Sequence, residues 1–116
     1  MKQERDLINE ILLRASERGH RLFRQNVGSG WVGKAKAGRA PGSMVVQEAR
    51  PLIAGLCVGS SDVIGWTARG LFVALEVKTP GVRATAAQKA FVEAVSLSGG
   101  IAGIVYSADE AMALLP

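Results

Sequence analysis

Three residues near the middle of the chain have the types and spacing for metal-assisted chemistry: Asp62, Glu76 and Lys78. Glu76 and Lys78 close the run Leu71-Phe-Val-Ala-Leu-Glu-Val-Lys78, whose β-branched and aromatic content predicts a strand. Alternate strand residues share a face, so Ala74, Glu76 and Lys78 point one way and Val73, Leu75 and Val77 point toward the core. Asp62-Val-Ile-Gly-Trp66 is a second strand-like run, and Thr67-Ala-Arg-Gly70 between the two predicts a β-hairpin. That hairpin would bring Asp62 beside Glu76 and Lys78. Two carboxylates held close repel each other and lose hydration. A divalent cation removes the repulsion and takes both as hard oxygen ligands. It could polarise a phosphodiester and make water nucleophilic, while Lys78 orients that water, helps deprotonate it or neutralises developing charge. The plainer reading is a solvated surface strand, because an isolated Glu-X-Lys is commonplace. Against it stand the apolar strand that the pair ends, the aspartate at hairpin distance and a neighbouring basic stretch.

Composition narrows the chemistry further. With one cysteine and one histidine, the chain cannot build a Cys/His zinc site, so oxygen-ligated magnesium or manganese is expected. No serine or cysteine has the histidine-plus-acid setting of a hydrolase triad. Cys57 sits in an apolar stretch and is expected to be a buried thiol. The net charge is +4, and Arg14, Arg18, Arg21, Arg24, Lys34, Lys36 and Arg39 are opposed in their own stretch only by Glu17. Such an excess suits a nucleic-acid backbone, with Arg24, Lys34, Lys36, Arg39 and Arg83 as candidate DNA contacts. An ordinary solvated surface is the alternative. No apolar run approaches the roughly 18 residues of a membrane span, and the charged N-terminus is no signal region, so an intracellular, cytoplasmic protein without membrane contact is expected.

The elements that must position these residues are readable in part. Leu7, Ile8, Ile11, Leu12 and Ala15 recur at helical spacing and predict a helix over about 4–18, stopped at Gly19. Residues 21–27 alternate loosely and suggest a strand. Residues 28–42, rich in Gly, Lys and Ala without an apolar period, read as a mobile basic loop, and 44–58 carry no clear signal. Thr79-Pro80-Gly81 ends the Glu76 strand. Thr85-Ala-Ala-Gln88 fits a capping box opening a helix to about Leu97. A short strand over 101–106 and a terminal helix over 108–115 complete one mixed α/β domain, residues 1–116.

Other motifs carry less. Gly28-Ser-Gly-Trp-Val-Gly33-Lys34-Ala35 nearly spells a phosphate-binding loop, but Ala35 lacks the hydroxyl that holds magnesium, and Gly38 and Pro41 oppose the following helix. His20 reads as a partly exposed helix-end residue that could touch a phosphate. Trp31 could stack on an unpaired base, and Trp66 is expected to serve packing.

Taken together, Gly59-Ser-Ser-Asp62 and Ala74-Leu-Glu76-Val-Lys78 resemble the PD-(D/E)XK nuclease signature, with Ser61 where proline is common. More narrowly, the chain resembles the VRR-NUC family of stand-alone phage or bacterial type. The pieces are Glu4-Arg-Asp-Leu-Ile8, Phe23-Arg-Gln-Asn-Val-Gly28, Gly59-Ser-Ser-Asp-Val-Ile-Gly65, Glu76-Val-Lys-Thr-Pro-Gly81, Gln88 and Gly99-Gly100. The resemblance implies a restriction-endonuclease-like mixed central sheet flanked by helices. It also implies a magnesium- or manganese-dependent endonuclease acting on DNA, with branched DNA such as a Holliday junction as substrate. Asp62, Glu76 and the main-chain carbonyl of Val77 would then be metal ligands and Lys78 the catalytic lysine. A first-helix glutamate joins them in the family, here Glu4 or, as runner-up, Glu10. These two cannot both face the site, being six positions and about 600° of helix apart. Gln88 would touch the site or the DNA, or only close its capping box with Thr85. A non-catalytic DNA-binding module and a nucleotide-binding P-loop protein are the rival functions. A homodimer is expected, because paired incision needs two sites and a small domain gains from burying apolar surface on a copy of itself. The segments 101–115 and 44–58 are its candidate interfaces.

Overall fold

A computed structural model describes residues 3–116. Its elements are α1 (Glu4–Glu17), β1 (Arg21–Arg24), β2 (Gly28–Ala37), β3 (Met44–Ala54), β4 (Val63–Trp66), β5 (Phe72–Val77), α2 (Ala86–Leu97), β6 (Ile101–Val105) and α3 (Ala108–Leu114). Helix α1 forms where expected because Leu7, Ile8, Ile11 and Ala15 make one buried stripe. Glu4 and Asp6 lie in its first turn and Arg14 in its last, each favourable to the helix dipole. Gly19 ends the turn in the left-handed region, at φ 87°.

The central sheet has the strand order β1-β4-β5-β6. Strands β1, β4 and β5 are antiparallel neighbours, and β6 lies parallel to β5 after the α2 crossover. The sheet is mixed and flanked by helices, as the sequence implied. Val63, Val73, Leu75, Val77 and Val105 join residues of α1 and α3 in one apolar core. Helix α2 packs over β5 and β6 on the opposite face. Both faces of β5 are therefore covered, and its residues from Val73 to Val77 are all buried.

Residues 28–54 depart from expectation. The basic loop is no loop: β2 and β3 form a separate antiparallel ribbon, and the unassigned stretch 44–58 supplies its second strand. Short-range alternation is lost because Gly, Ala and Lys fill β2, so its strand character comes from pairing with β3 and not from a pattern in the segment itself. A bulge between Val32 and Lys34, opposite Glu48 at φ 53°, interrupts the ladder. Every residue of β2 is exposed, and the ribbon extends as an arm from a body that measures 50 Å in its longest direction with the arm included.

Two side chains are also relocated. His20 is buried: its Nδ1 accepts from the Ala68 N–H at 3.0 Å and its Nε2 lies 2.9 Å from the Pro116 carbonyl. With both nitrogens used to seal the chain's end against the β4–β5 turn, it has no capacity for a phosphate. Cys57 is exposed, because its apolar neighbours sit in the turn that follows the arm, outside the core. No helix among the described residues is long and apolar enough to cross a membrane.

Candidate active site

The hairpin register sets the site. Trp66 faces Phe72 and Val63 faces Leu75, so Asp62, one residue before β4, stands opposite Glu76. The Asp62 Oδ2 accepts the Val77 N–H at 3.0 Å, which fixes this carboxylate against the end of β5. Lys78 follows on the Glu76 face with its ammonium 3.5 Å from the Glu76 Oε1. Its backbone N–H donates to the Val105 carbonyl, continuing the parallel ladder past β5. The hairpin thus brings Asp62, Glu76 and Lys78 together in space.

Their surroundings carry no signal in the sequence. Glu76 is only 1% exposed, and neither carboxyl oxygen accepts a hydrogen bond. Burial, then the neighbouring Asp62 carboxylate, push its carboxyl up to about 7, while the nearby Lys78 ammonium pulls the other way. Ser61 is fully buried as well, with an unpartnered hydroxyl. Such groups are costly to bury without partners. A hard cation suits them: two adjacent carboxylates, neither oxygen of one accepting a hydrogen bond. Among the described residues no three His, Cys, Asp or Glu side chains gather at a possible metal site. The carboxylate complement is the pair, which matches magnesium's habit of taking one or two carboxylates and retaining water.

The loop before Asp62 is held from two sides. Gly59 adopts φ 86°, and a Cβ there would come within 2.6 Å of the Ala87 backbone. The glycine lets this loop lie directly on the first turn of α2. From the other side comes Gln25, to which the sequence alone assigns no role. Its backbone N–H donates to the Asp62 carbonyl, its Nε2 donates to the Ser61 carbonyl at 2.6 Å, and its Oε1 accepts the Leu56 N–H at 2.7 Å. One side chain thereby ties β1, the root of the arm and the Asp62 loop together. Its signal was its place in Phe23-Arg-Gln-Asn-Val, an amide just past a strand.

The remaining candidates divide. The Gln88 Oε1 accepts the Thr85 N–H at 2.8 Å, and Thr85 Oγ1 accepts the Gln88 N–H at 3.1 Å, so the capping box forms. Glu4 lies in line with the buried stripe of α1 but is exposed, and Glu10 is half-buried beside Arg14, Thr79 and Pro80. Neither is gathered with Asp62 and Glu76. Arg14 and Arg18 are drawn away from any ligand. Arg14 pairs with Asp109 at 2.9 Å, and Arg18 donates to the Met112 and Leu115 carbonyls, fastening α1 to α3. Arg24, Lys34, Lys36, Arg39 and Arg83 are exposed, with Lys34 paired to Glu48 at 3.5 Å.

A mixed sheet carrying Asp62, Glu76 and Lys78 at the joined ends of two strands defines a nuclease-like α/β protein. The VRR-NUC domain matches residues 38–109, more than half of the chain, and the chain belongs to that family. It is therefore a nuclease-type domain that acts on DNA. The match spans Asp62 through Gln88 and leaves α1, with Glu4 and Glu10, outside. No curated protein matches the chain.

Proposed function

We propose that residues 1–116 act as one magnesium- or manganese-dependent endonuclease domain, with Asp62, Glu76 and the Val77 carbonyl holding the metal. The observation that carries this reading is the Glu76 carboxyl, buried beside Asp62 with neither oxygen accepting a hydrogen bond and the Lys78 ammonium 3.5 Å from one of them. A divalent cation there would supply Lewis-acid activation of the scissile phosphate and a more acidic water. The protein's share is positional. Asp62 is pinned by the Val77 N–H, and Glu76 is held apart from bulk water between the sheet and α2. Lys78, on the same face, orients the attacking water and offsets charge gathering on the phosphate oxygens. The chemistry breaks a phosphorus–oxygen bond and gives the water's oxygen to phosphorus. Gln88, at the start of α2, is assigned to the helix cap, and Glu4 is kept as the first-helix candidate ahead of Glu10, because it continues the buried stripe.

The exposed cations Arg24, Lys34, Lys36, Arg39 and Arg83 serve the phosphates of the substrate. Branched DNA is the proposed substrate and a homodimer the proposed active form, since symmetrical incision of a four-way junction needs two sites. Of the two candidate interfaces, 101–115 is largely spent on the intramolecular core, whereas 44–58 is exposed almost throughout. Incubation with linear, flap and four-way-junction DNA, with and without magnesium or manganese, tests the activity. Metal-dependent cutting that favours the junction is expected, and binding without cutting under every condition would leave a DNA-binding module. Light scattering of the same samples is expected to give the mass of two chains; an active monomer would remove the paired-incision mechanism.

A further inference from the structure

The face of the sheet that carries Asp62 and Glu76 is not fully covered. Helix α2 packs over β5 and β6 and leaves β1 and β4 open on that side. Register places Phe23 opposite Ile64 and Trp66 between Arg21 and Phe72, all on the carboxylate face. The Phe23 and Trp66 rings lie 5.5 Å apart at 49°, and Phe23, Trp66 and Phe72 are 51%, 49% and 41% exposed. With Ile64 and Gly65 they line a shallow cavity of about 580 Å³. Large aromatics on a sheet face at half exposure are unusual, since a sheet buries such a face against another layer.

We propose that this platform is a second DNA subsite, which receives unpaired bases of the strand whose phosphate lies at Asp62 and Glu76; this rests on the nuclease reading above. Three features select that occupant. The rings present flat π-surfaces, which stack on any base without sequence readout. The strands and turn that frame the cavity, residues 21–24 and 63–72, carry Arg21, Arg24 and Arg69 and no carboxylate, which suits a sugar–phosphate chain. Finally, the platform is continuous with the carboxylates. Measured along the strands, Phe23 and Ile64 stand two positions, roughly 7 Å, from the level of Asp62 and Glu76, and Trp66 four positions, roughly 13 Å. Bases in a duplex are stacked on one another and cannot use the rings, so the platform admits strands that are already unpaired, as at a flap or a branch. Base pairing, rather than sequence, is what this surface discriminates.

Binding can be read without cleavage. In a Trp31→Phe background Trp66 is the only tryptophan, and its fluorescence is followed with chelator present as oligothymidylate or a blunt duplex of equal length is added. Quenching by the single strand at concentrations where the duplex has little effect is expected. Phe23→Ala should weaken single-strand affinity by about 10- to 100-fold. Phe23→Leu, which keeps the apolar cover of β4, should show nearly the same loss, while Trp66→Phe, followed by anisotropy of a labelled oligonucleotide, should retain binding. Equal quenching by both nucleic acids, or none, overturns the subsite. So does Trp66 burial that grows with protein concentration alone, which would mean that a second copy covers the rings. Metal-dependent cutting by the wild type alongside unchanged affinity in both Phe23 variants would refute the platform and leave the nuclease reading standing.

Discussion

The end of the β4–β5 hairpin and the β2–β3 arm, to which the proposed function assigns cleavage and DNA contact, hold their charged groups on opposite terms. At the hairpin, polar groups are buried where they are costly: Glu76 accepts no hydrogen bond and has only the Lys78 ammonium at 3.5 Å, the Ser61 hydroxyl has no partner, and Asp62 is fixed by a main-chain N–H. On the arm nothing is fixed. Its charges are solvated, its one ion pair joins two mostly exposed side chains, and it forms a sheet of its own. Buried charge gives a site whose geometry and protonation depend on a ligand's arrival. Exposed charge gives long-range attraction that salt weakens. Paired residues on the arm also share faces. Lys34, Lys36 and Arg50 fall on one side, together with Val32, Val45 and Leu52, while Trp31, Pro51, Ile53, Val46 and Met44 on the other side bring no charge. The hairpin's arrangement suits chemistry at a point, the arm's suits contact over an area.

If this contrast holds, the largest effects come from the hairpin. Glu76→Gln, Asp62→Asn and Lys78→Ala should each lower single-turnover cleavage on the order of 10³-fold while leaving the fold and most DNA affinity intact. Cleavage by Glu76→Gln at the wild-type rate would show that the chemistry lies elsewhere.

The next effect is on stability. Without metal, Glu76 stays protonated in the folded protein up to about pH 7, whereas its ordinary value is 4.5. Between those values the unfolded chain has already released its proton, so rising pH favours unfolding. The loss is absent below about 4.5, runs at most at about 1.4 kcal/mol per unit, and is complete above 7 at roughly 3 kcal/mol. Urea unfolding with chelator at pH 5 and pH 8 should show that decline for the wild type and a flatter profile for Glu76→Gln. Magnesium or manganese should restore stability at pH 8. Identical profiles for the two proteins would mean that Glu76 titrates normally.

Gln25 joins the two regions, and its loss should fall between them. Gln25→Ala leaves the buried Ser61 carbonyl and the Leu56 N–H without partners and should cost about 1–3 kcal/mol. If the side chain positions the Asp62 loop, the apparent metal affinity should weaken as well; a stability loss with unaltered metal dependence would make it a structural tie only.

The smallest effect belongs to the arm. Replacing Lys34, Lys36 and Arg39 by alanine should weaken binding evenly across DNA sequences and lower the salt slope by roughly 0.9 for each phosphate that is no longer neutralised. An unchanged slope would mean that the arm's charged face does not meet phosphates, leaving its apolar side as the reason for its length.

The sequence by itself determined what local pattern and covalent spacing can determine. The period of Leu7, Ile8, Ile11 and Ala15 set α1, and Thr85 and Gln88 set the start of α2. The four residues from Thr67 to Gly70 set the hairpin, which in turn set the meeting of Asp62 with Glu76, because register over a short turn leaves little freedom. Only the tertiary structure decided the rest. That residues 28–37 form a strand depended on pairing with 44–54, since Gly, Ala and Lys carry no β signal of their own. That His20 is sealed against Ala68 and Pro116 depended on groups 48 and 96 positions away. That Glu76 is stripped of water depended on α2 covering its face, so the burial of this glutamate, which raises its pKa, could not be read from the chain.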